Sequence, residues 1–132
     1  GFEDANVASI TKLIKKHKFD CQYFLSSFDW FSVIKIRKLL PESHVGILID
    51  SFDQKRNFTQ VLNKCSEHNL LSCGFNITII SDEIIKACKN HGILVTVYSS
   101  QNIEKNEAEE LWNLGVDSIF IDNPTSYKNM LE

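Results

Sequence analysis

Along the chain, stretches with apolar residues at helical spacing alternate with short continuous apolar runs. Val7, Ile10, Leu13 and Ile14 repeat with the period of a helix face. The basic run Lys15-Lys16-His17-Lys18 behind them suits a helix C-terminus, where the dipole favours positive charge. Cys21 to Leu25 is too short an apolar run for a helix and reads as a buried strand that stops at Ser26-Ser27. Asp29 can cap a second helix, which carries Trp30, Val33, Ile34 and Leu40 inward and ends at Pro41. Val45 to Ile49 is the second strand, closing at Asp50-Ser51.

The same rhythm continues. Phe58, Val61, Leu62 and Cys65 form the inner stripe of a third helix running to about His68, and a weaker strand follows at Ser72 to Asn76. Ser81, with Asp82 and Glu83 behind it, starts a helix that turns Ile84, Ile85 and Cys88 inward; His91-Gly92 closes it with glycine at the left-handed position. Ile93 to Tyr98 is a strong β-branched strand ending at Ser99-Ser100. A fifth helix buries Ala108, Leu111 and Trp112 and stops at Leu114-Gly115. The last strand is Ser118 to Ile121, and Asp122-Asn123-Pro124 supplies a cap and a first-turn proline for a short final helix.

A helix followed by five strand–helix units predicts an α/β fold of parallel strands joined by right-handed crossovers, and no linker divides residues 1–132 into more than a single domain. Two architectures fit: a flavodoxin-like open sheet, or part of a (β/α)8 barrel, of which this chain holds five units. The flavodoxin type normally begins with a strand, and no strand here is followed by a glycine-rich phosphate loop.

In parallel β/α proteins chemistry gathers at the C-terminal ends of the strands. That rule places His17, His44, His68 and His91 on the opposite, non-catalytic face, where the helix dipole or solvent accounts for them. The strand C-terminal face collects Ser26, Ser27, Asp50, Asn76, Ser99 and Asp122, with Asp53, Thr78, Asn102 and Asn123 in the loops behind. Such residues also serve as helix caps, and Asp50 and Asp122, each directly at a strand end, are the strongest candidates for a functional role.

Composition narrows the partners. A formal charge of −3 gives no electrostatic reason to bind nucleic acid or an anionic membrane surface, and no apolar run reaches the length of a membrane span. Cys21, Cys65, Cys73 and Cys88 form no C-x-x-C pair, which argues against a zinc site and for core thiols in a reducing, cytoplasmic setting. The N-terminus carries neither a signal-peptide pattern nor an initiating Met, so a chain cut from something longer is expected.

The strand ends resemble those of the glycerophosphodiester phosphodiesterase family. Leu25-Ser26-Ser27-Phe28-Asp29 resembles its S-F strand, and Pro41 with Val45-Gly46-Ile47-Leu48 resembles the strand after it. His91-Gly92 with Val95-Thr96-Val97-Tyr98-Ser99 is similar to its h-G…v-x-v-W-T-v-N segment, with Tyr98 in place of the usual Trp. Gly115-Val116-Asp117-Ser118-Ile119-Phe120-Ile121-Asp122-Asn123-Pro124 is similar to its closing G-V-D-g-I-i-T-D-x-P, with Ile121 in place of Thr, and is the most specific of the four matches.

The resemblance implies strands four to eight of a TIM barrel, preceded by the helix after strand three. It implies a metal-dependent hydrolase that converts a glycerophosphodiester to an alcohol and glycerol 3-phosphate, with Mg²⁺ or Ca²⁺ as cofactor. The family's His-Arg-Gly motif and the carboxylates of strands one to three are missing here, so this chain is expected to carry no catalytic or metal-binding residue and to be inactive alone. Ser27, Phe28 and Tyr98 match family positions and are expected to bind substrate, whereas Asp122 organises the last loop. A partial barrel exposes strand edges and apolar interior, so the missing N-terminal half or a second copy of the chain is the expected partner. The alternative is a non-enzymatic binding or scaffold module with a flavodoxin-like or degenerate barrel fold.

Overall fold

A computed structural model describes residues 2–17 and 24–127. Its elements alternate as the pattern predicts: α1 (Phe2–His17), β1 (Phe24–Ser27), α2 (Trp30–Leu39), β2 (His44–Ile49), α3 (Phe58–His68), β3 (Ser72–Asn76), α4 (Asp82–Asn90), β4 (Leu94–Tyr98), α5 (Lys105–Leu114), β5 (Ser118–Ile119) and a 3-10 turn over Pro124–Tyr127. The five strands form one parallel sheet in the order β1-β2-β3-β4-β5. This sequential order settles the choice of architecture. A flavodoxin-like sheet reverses direction and has the order 2-1-3-4-5, whereas a (β/α)8 barrel adds each strand beside the last. The flavodoxin-like alternative is therefore excluded, and the fold is an α/β partial barrel of five strands.

Side chains alternate across each strand, so the register divides the sheet into two faces. Val45, Ile47, Ile49, Cys73, Phe75, Val95 and Val97 turn to the helices and are buried with Val33, Ile36, Val61, Cys65, Ile85, Cys88, Ala108 and Leu111. The other face is floored by small residues: Gly46 pairs with Ser26 and Ser72, and Gly74 pairs with Thr96, itself beside Ser118. Gly46 is required there. A Cβ at Gly46 would lie 2.8 Å from the Ser72 carbonyl oxygen and 2.9 Å from the Phe24 ring, and one at Gly74 would meet Leu48. Around that floor Phe24, Leu94 and Phe120 remain 42%, 45% and 51% exposed, bordering a cavity of about 680 Å³.

Several boundaries differ from the sequence reading. Cys21, Gln22 and Tyr23 of the first expected strand lie outside the described residues, and the strand continues through Ser26 and Ser27, which pair with Gly46 and Ile47. In α2 the inward residue is Ile36 rather than Ile34, because Trp30, Val33, Ile36 and Leu40 share the stripe packed against the core. β5 stops at Ile119 rather than Ile121. Phe120 still donates its N–H to Val97 O at 3.0 Å, but the Asp122 N–H turns to the side chain of Asn102 at 3.1 Å, which takes the place of a further ladder bond.

Candidate functional site

Three neighbouring strands bring Asp50, Asn76 and Tyr98 together at their C-terminal ends. Asn76 and Tyr98 are register partners, and Asp50 directly follows β2 on the other side of β3. The Tyr98 side chain reaches across β3, so that its hydroxyl lies 3.0 Å from Ile49 O and 3.1 Å from Asp50 Oδ1. Asn76 donates its amide to the same Asp50 oxygen at 2.8 Å. Asn76 Oδ1 in turn accepts from the backbone N–H and the hydroxyl of Thr78, each at 3.0 Å, which fixes the amide's orientation. Burial, followed by the hydrogen bond to Asp50, pushes the Tyr98 phenol above its ordinary range, so it stays neutral near pH 7.

The β1–α2 loop adds an aromatic wall. Phe28 stands edge-to-face on Tyr98 with ring centroids 5.7 Å apart, and is 47% exposed. The next loop is stiffened from both sides. Asp53 Oδ1 accepts the N–H groups of Lys55 and Arg56, each at 2.7 Å, while Phe52 and Phe58 meet Phe75 at centroid distances of 6.4 and 6.2 Å. That geometry carries Arg56 back over the preceding loop, where it donates to Phe28 O at 3.3 Å and lies 4.8 Å above the Trp30 ring. Phe28, Trp30, Leu48, Asp50 and Arg56 line a cleft of about 230 Å³.

The expected site residues thus separate. Phe28 and Tyr98 are in contact beside Asp50, whereas Ser27 lies in register with Ile47 and uses its hydroxyl to accept the Asp29 N–H at 3.0 Å. Ser27 therefore shapes the turn that presents Phe28. Asp122 approaches Asn102 through its backbone and joins the last two loops. His44 lies at the start of β2 against Phe24, at a centroid distance of 4.9 Å, and His91 caps α4 with its ring nitrogen 2.8 Å from Ala87 O, both at the end remote from Asp50. The linkage of Asp50 to Asn76 and the return of Arg56 depend on register and loop shape, which no local spacing reveals. Their only sequence signal is a carboxylate directly after an apolar strand.

Among the described residues no group of three or more His, Cys, Asp or Glu side chains converges to hold a metal ion. Asp50 is bonded to an amide and a phenol, so the described donor set does not fit a divalent-ion centre. Cys65, Cys73 and Cys88 are free and buried in the helix-facing layer, with the Cys65 and Cys73 sulfurs 3.3 Å apart; Cys21 lies outside the described residues. No described helix is long and apolar enough to cross a membrane.

The sequence matches the Glycerophosphoryl diester phosphodiesterase family over residues 1–126. It is 24% identical over 123 residues to a glycerophosphodiester phosphodiesterase of Caldanaerobacter subterraneus subsp. tengcongensis, covering 92% of this chain and 47% of that protein. Its fold is similar to that of an Oleispira antarctica phosphodiesterase solved in complex with the product sn-glycerol-3-phosphate, with a TM-score of 0.83, 20% identity, and coverage of 99% of this chain and 51% of the other. A glycerophosphodiester phosphodiesterase from Parabacteroides distasonis gives a TM-score of 0.72 at 20% identity, covering 98% and 50%. The chain spans about half the length of these relatives.

Proposed function

The chain belongs to the Glycerophosphoryl diester phosphodiesterase family, and on that premise we propose that it forms the C-terminal part, strands four to eight, of a barrel that hydrolyses glycerophosphodiesters to an alcohol and glycerol 3-phosphate. The observation that carries this reading is the order of the matched segments. The S-F segment at Ser27-Phe28 lies at the end of β1 and the G-V-D…D-x-P segment runs through β5, an order that supports assigning the five strands to the family's last five places. Residues 1–132 are then one structural portion of a barrel rather than a domain complete in itself.

In this reading the ion-binding carboxylates and the proton-transferring histidines lie on strands one to three, outside this chain. A divalent ion such as Mg²⁺ or Ca²⁺, when bound there, polarises the phosphate. The residues of this chain supply one wall of the pocket: Phe28 and Tyr98 exclude water beside the substrate, and Ser27 holds the turn that positions Phe28. The partner is the N-terminal portion of the barrel, with a second copy of the chain as the substitute when that portion is missing.

Release of glycerol 3-phosphate from glycerophosphocholine tests the proposal. The 132-residue chain is expected to give none with Mg²⁺ or Ca²⁺, and the full-length protein is expected to give turnover that a chelator abolishes. Turnover by the 132-residue chain alone would relocate the catalytic groups to this half. No turnover by the full-length protein would favour a degenerate barrel with a scaffold role.

A further inference from the structure

Cations and exposed apolar side chains gather at one end of α1 and α2. Taken whole, the formal charge of −3 gives no reason to approach an anionic membrane, but that charge is unevenly spread. Lys12, Lys15, Lys16, Lys35, Arg37 and Lys38 fall in the C-terminal halves of the two helices, and residues 5–16 and 30–41 contain no acid. The helix dipole accounts for cations in a last turn, as at Lys38, but Lys12 lies more than a turn before the end of α1. Arg37 donates to Ser43 O. The described ion pairs, Lys64–Glu67 and Lys86–Asp82, and the contact of His68 with Glu67 all lie elsewhere. Lys12, Lys15, Lys16 and Lys38 therefore meet no carboxylate among the described residues.

Between the helices lies a shallow groove of about 580 Å³, lined by Ala8, Thr11, Lys12, Lys15 and Lys16 of α1 and by Leu39 of α2. Both walls belong to this chain, so the groove does not depend on the rest of a barrel. Thr11 is 6% exposed, and its buried hydroxyl has no described partner. An unpaired buried hydroxyl is costly, and a phosphate oxygen entering the groove would supply its acceptor. Beside the lysines, Leu13 and Leu39 stand half exposed. Lysines interleaved with apolar side chains suit a lipid surface, where ammonium groups meet anionic headgroups while the apolar groups enter the acyl boundary. A nucleic acid would use the lysines and leave the leucines in water.

We propose that the C-terminal halves of α1 and α2 form a docking surface for an anionic phospholipid membrane, with Lys12, Lys15, Lys16 and Lys38 on the headgroups and Leu13 and Leu39 at the acyl boundary. In a parallel β/α unit these helix ends lie beside the strand N-termini, opposite Asp50. Docked in this way, the protein turns its strand C-terminal ends toward water. The surface is built by two helices alone, so it stands or falls independently of the phosphodiesterase reading.

Co-sedimentation of the full-length protein with vesicles tests it. Binding is expected to vesicles of phosphatidylcholine and phosphatidylserine in equal parts and not to pure phosphatidylcholine, and it should weaken in about 0.5 M NaCl. Affinity is expected to fall about tenfold or more in the double variant Lys15→Gln with Lys16→Gln. It should fall about fivefold in Leu13→Ser with Leu39→Ser. All four residues are exposed, so the urea midpoints of both variants should match wild type. Absence of binding, equal binding to the two vesicle types, or unchanged affinity in the lysine variant overturns the surface. Loss in the lysine variant alone, with a duplex oligonucleotide or inorganic phosphate displacing the protein from vesicles, also overturns it and marks a site for polyanions or phosphate instead.

Discussion

Tyr98 links the fold to the site, because its ring stands on the sheet while its hydroxyl crosses β3 to reach Asp50 and Ile49 O. Tyr98→Phe is expected to cost about 1 kcal/mol near neutral pH, the usual net worth of such hydrogen bonds, measured by urea unfolding. The pH dependence has a definite sign. The folded phenol pKa is raised, so its contribution is fully present below the ordinary phenol value near 10 and is lost as pH rises through the raised value. The stability gap between wild type and Tyr98→Phe should therefore be constant to about pH 9 and close above pH 10. The thiols follow the same logic: burial pushes Cys88 up to about 12, and contact with Cys65 raises Cys73 further. Cys73 and Cys88 should thus resist a thiol reagent at pH 8 until the protein is unfolded. The core reading of these three cysteines was legible from helix and strand periodicity alone, and so were Asp50 and Tyr98 as strand-end residues. Ile36 was not, since Ile34 and Ile36 are two positions apart and flank Val33 on opposite sides of the helix, and tertiary packing decides which of them turns inward.

At the scale of elements, caps and close approaches decide the boundaries. α3 begins with a reciprocal capping box, in which Asn57 accepts the Gln60 N–H at 3.0 Å and Gln60 accepts the Asn57 N–H at 3.2 Å. Asn57→Ala should lower stability by about 1 kcal/mol, read as a shift in the urea midpoint. Gly46→Ala tests the inner face, because its methyl would press on the Ser72 backbone; a loss of about 1 to 3 kcal/mol is expected. Every strand and helix was legible in the alternation of apolar periods, and the glycine stops at Gly92 and Gly115 do adopt positive φ. The end of β5 was not legible. Ile119-Phe120-Ile121 is apolar throughout, and whether such a run continues as strand depends on the next acceptor, which here is Asn102 from a loop 20 residues away.

For the whole molecule, the sheet has two unpaired sides, since β1 bonds only β2 and β5 only β4 among the described residues. Its inner face leaves Phe24, Leu94 and Phe120 half exposed, and the Ser72 hydroxyl is buried there with no described partner. Such a surface favours association, and the isolated chain is expected to sediment as a dimer or larger at micromolar concentration, reverting toward monomer in Phe120→Ser. The sequential strand order has a kinetic consequence. Successive pairings such as Phe24 with His44, Gly46 with Ser72 and Thr96 with Ser118 join residues 20 to 26 positions apart, so no strand must wait for a remote one. Contact order among these five strands is set by the single β/α unit, and the loop entropy of each closure is nearly equal. The sheet can therefore grow by one unit at a time from either direction, leaving the joining of first and last strands as the slow step that belongs to the complete barrel alone.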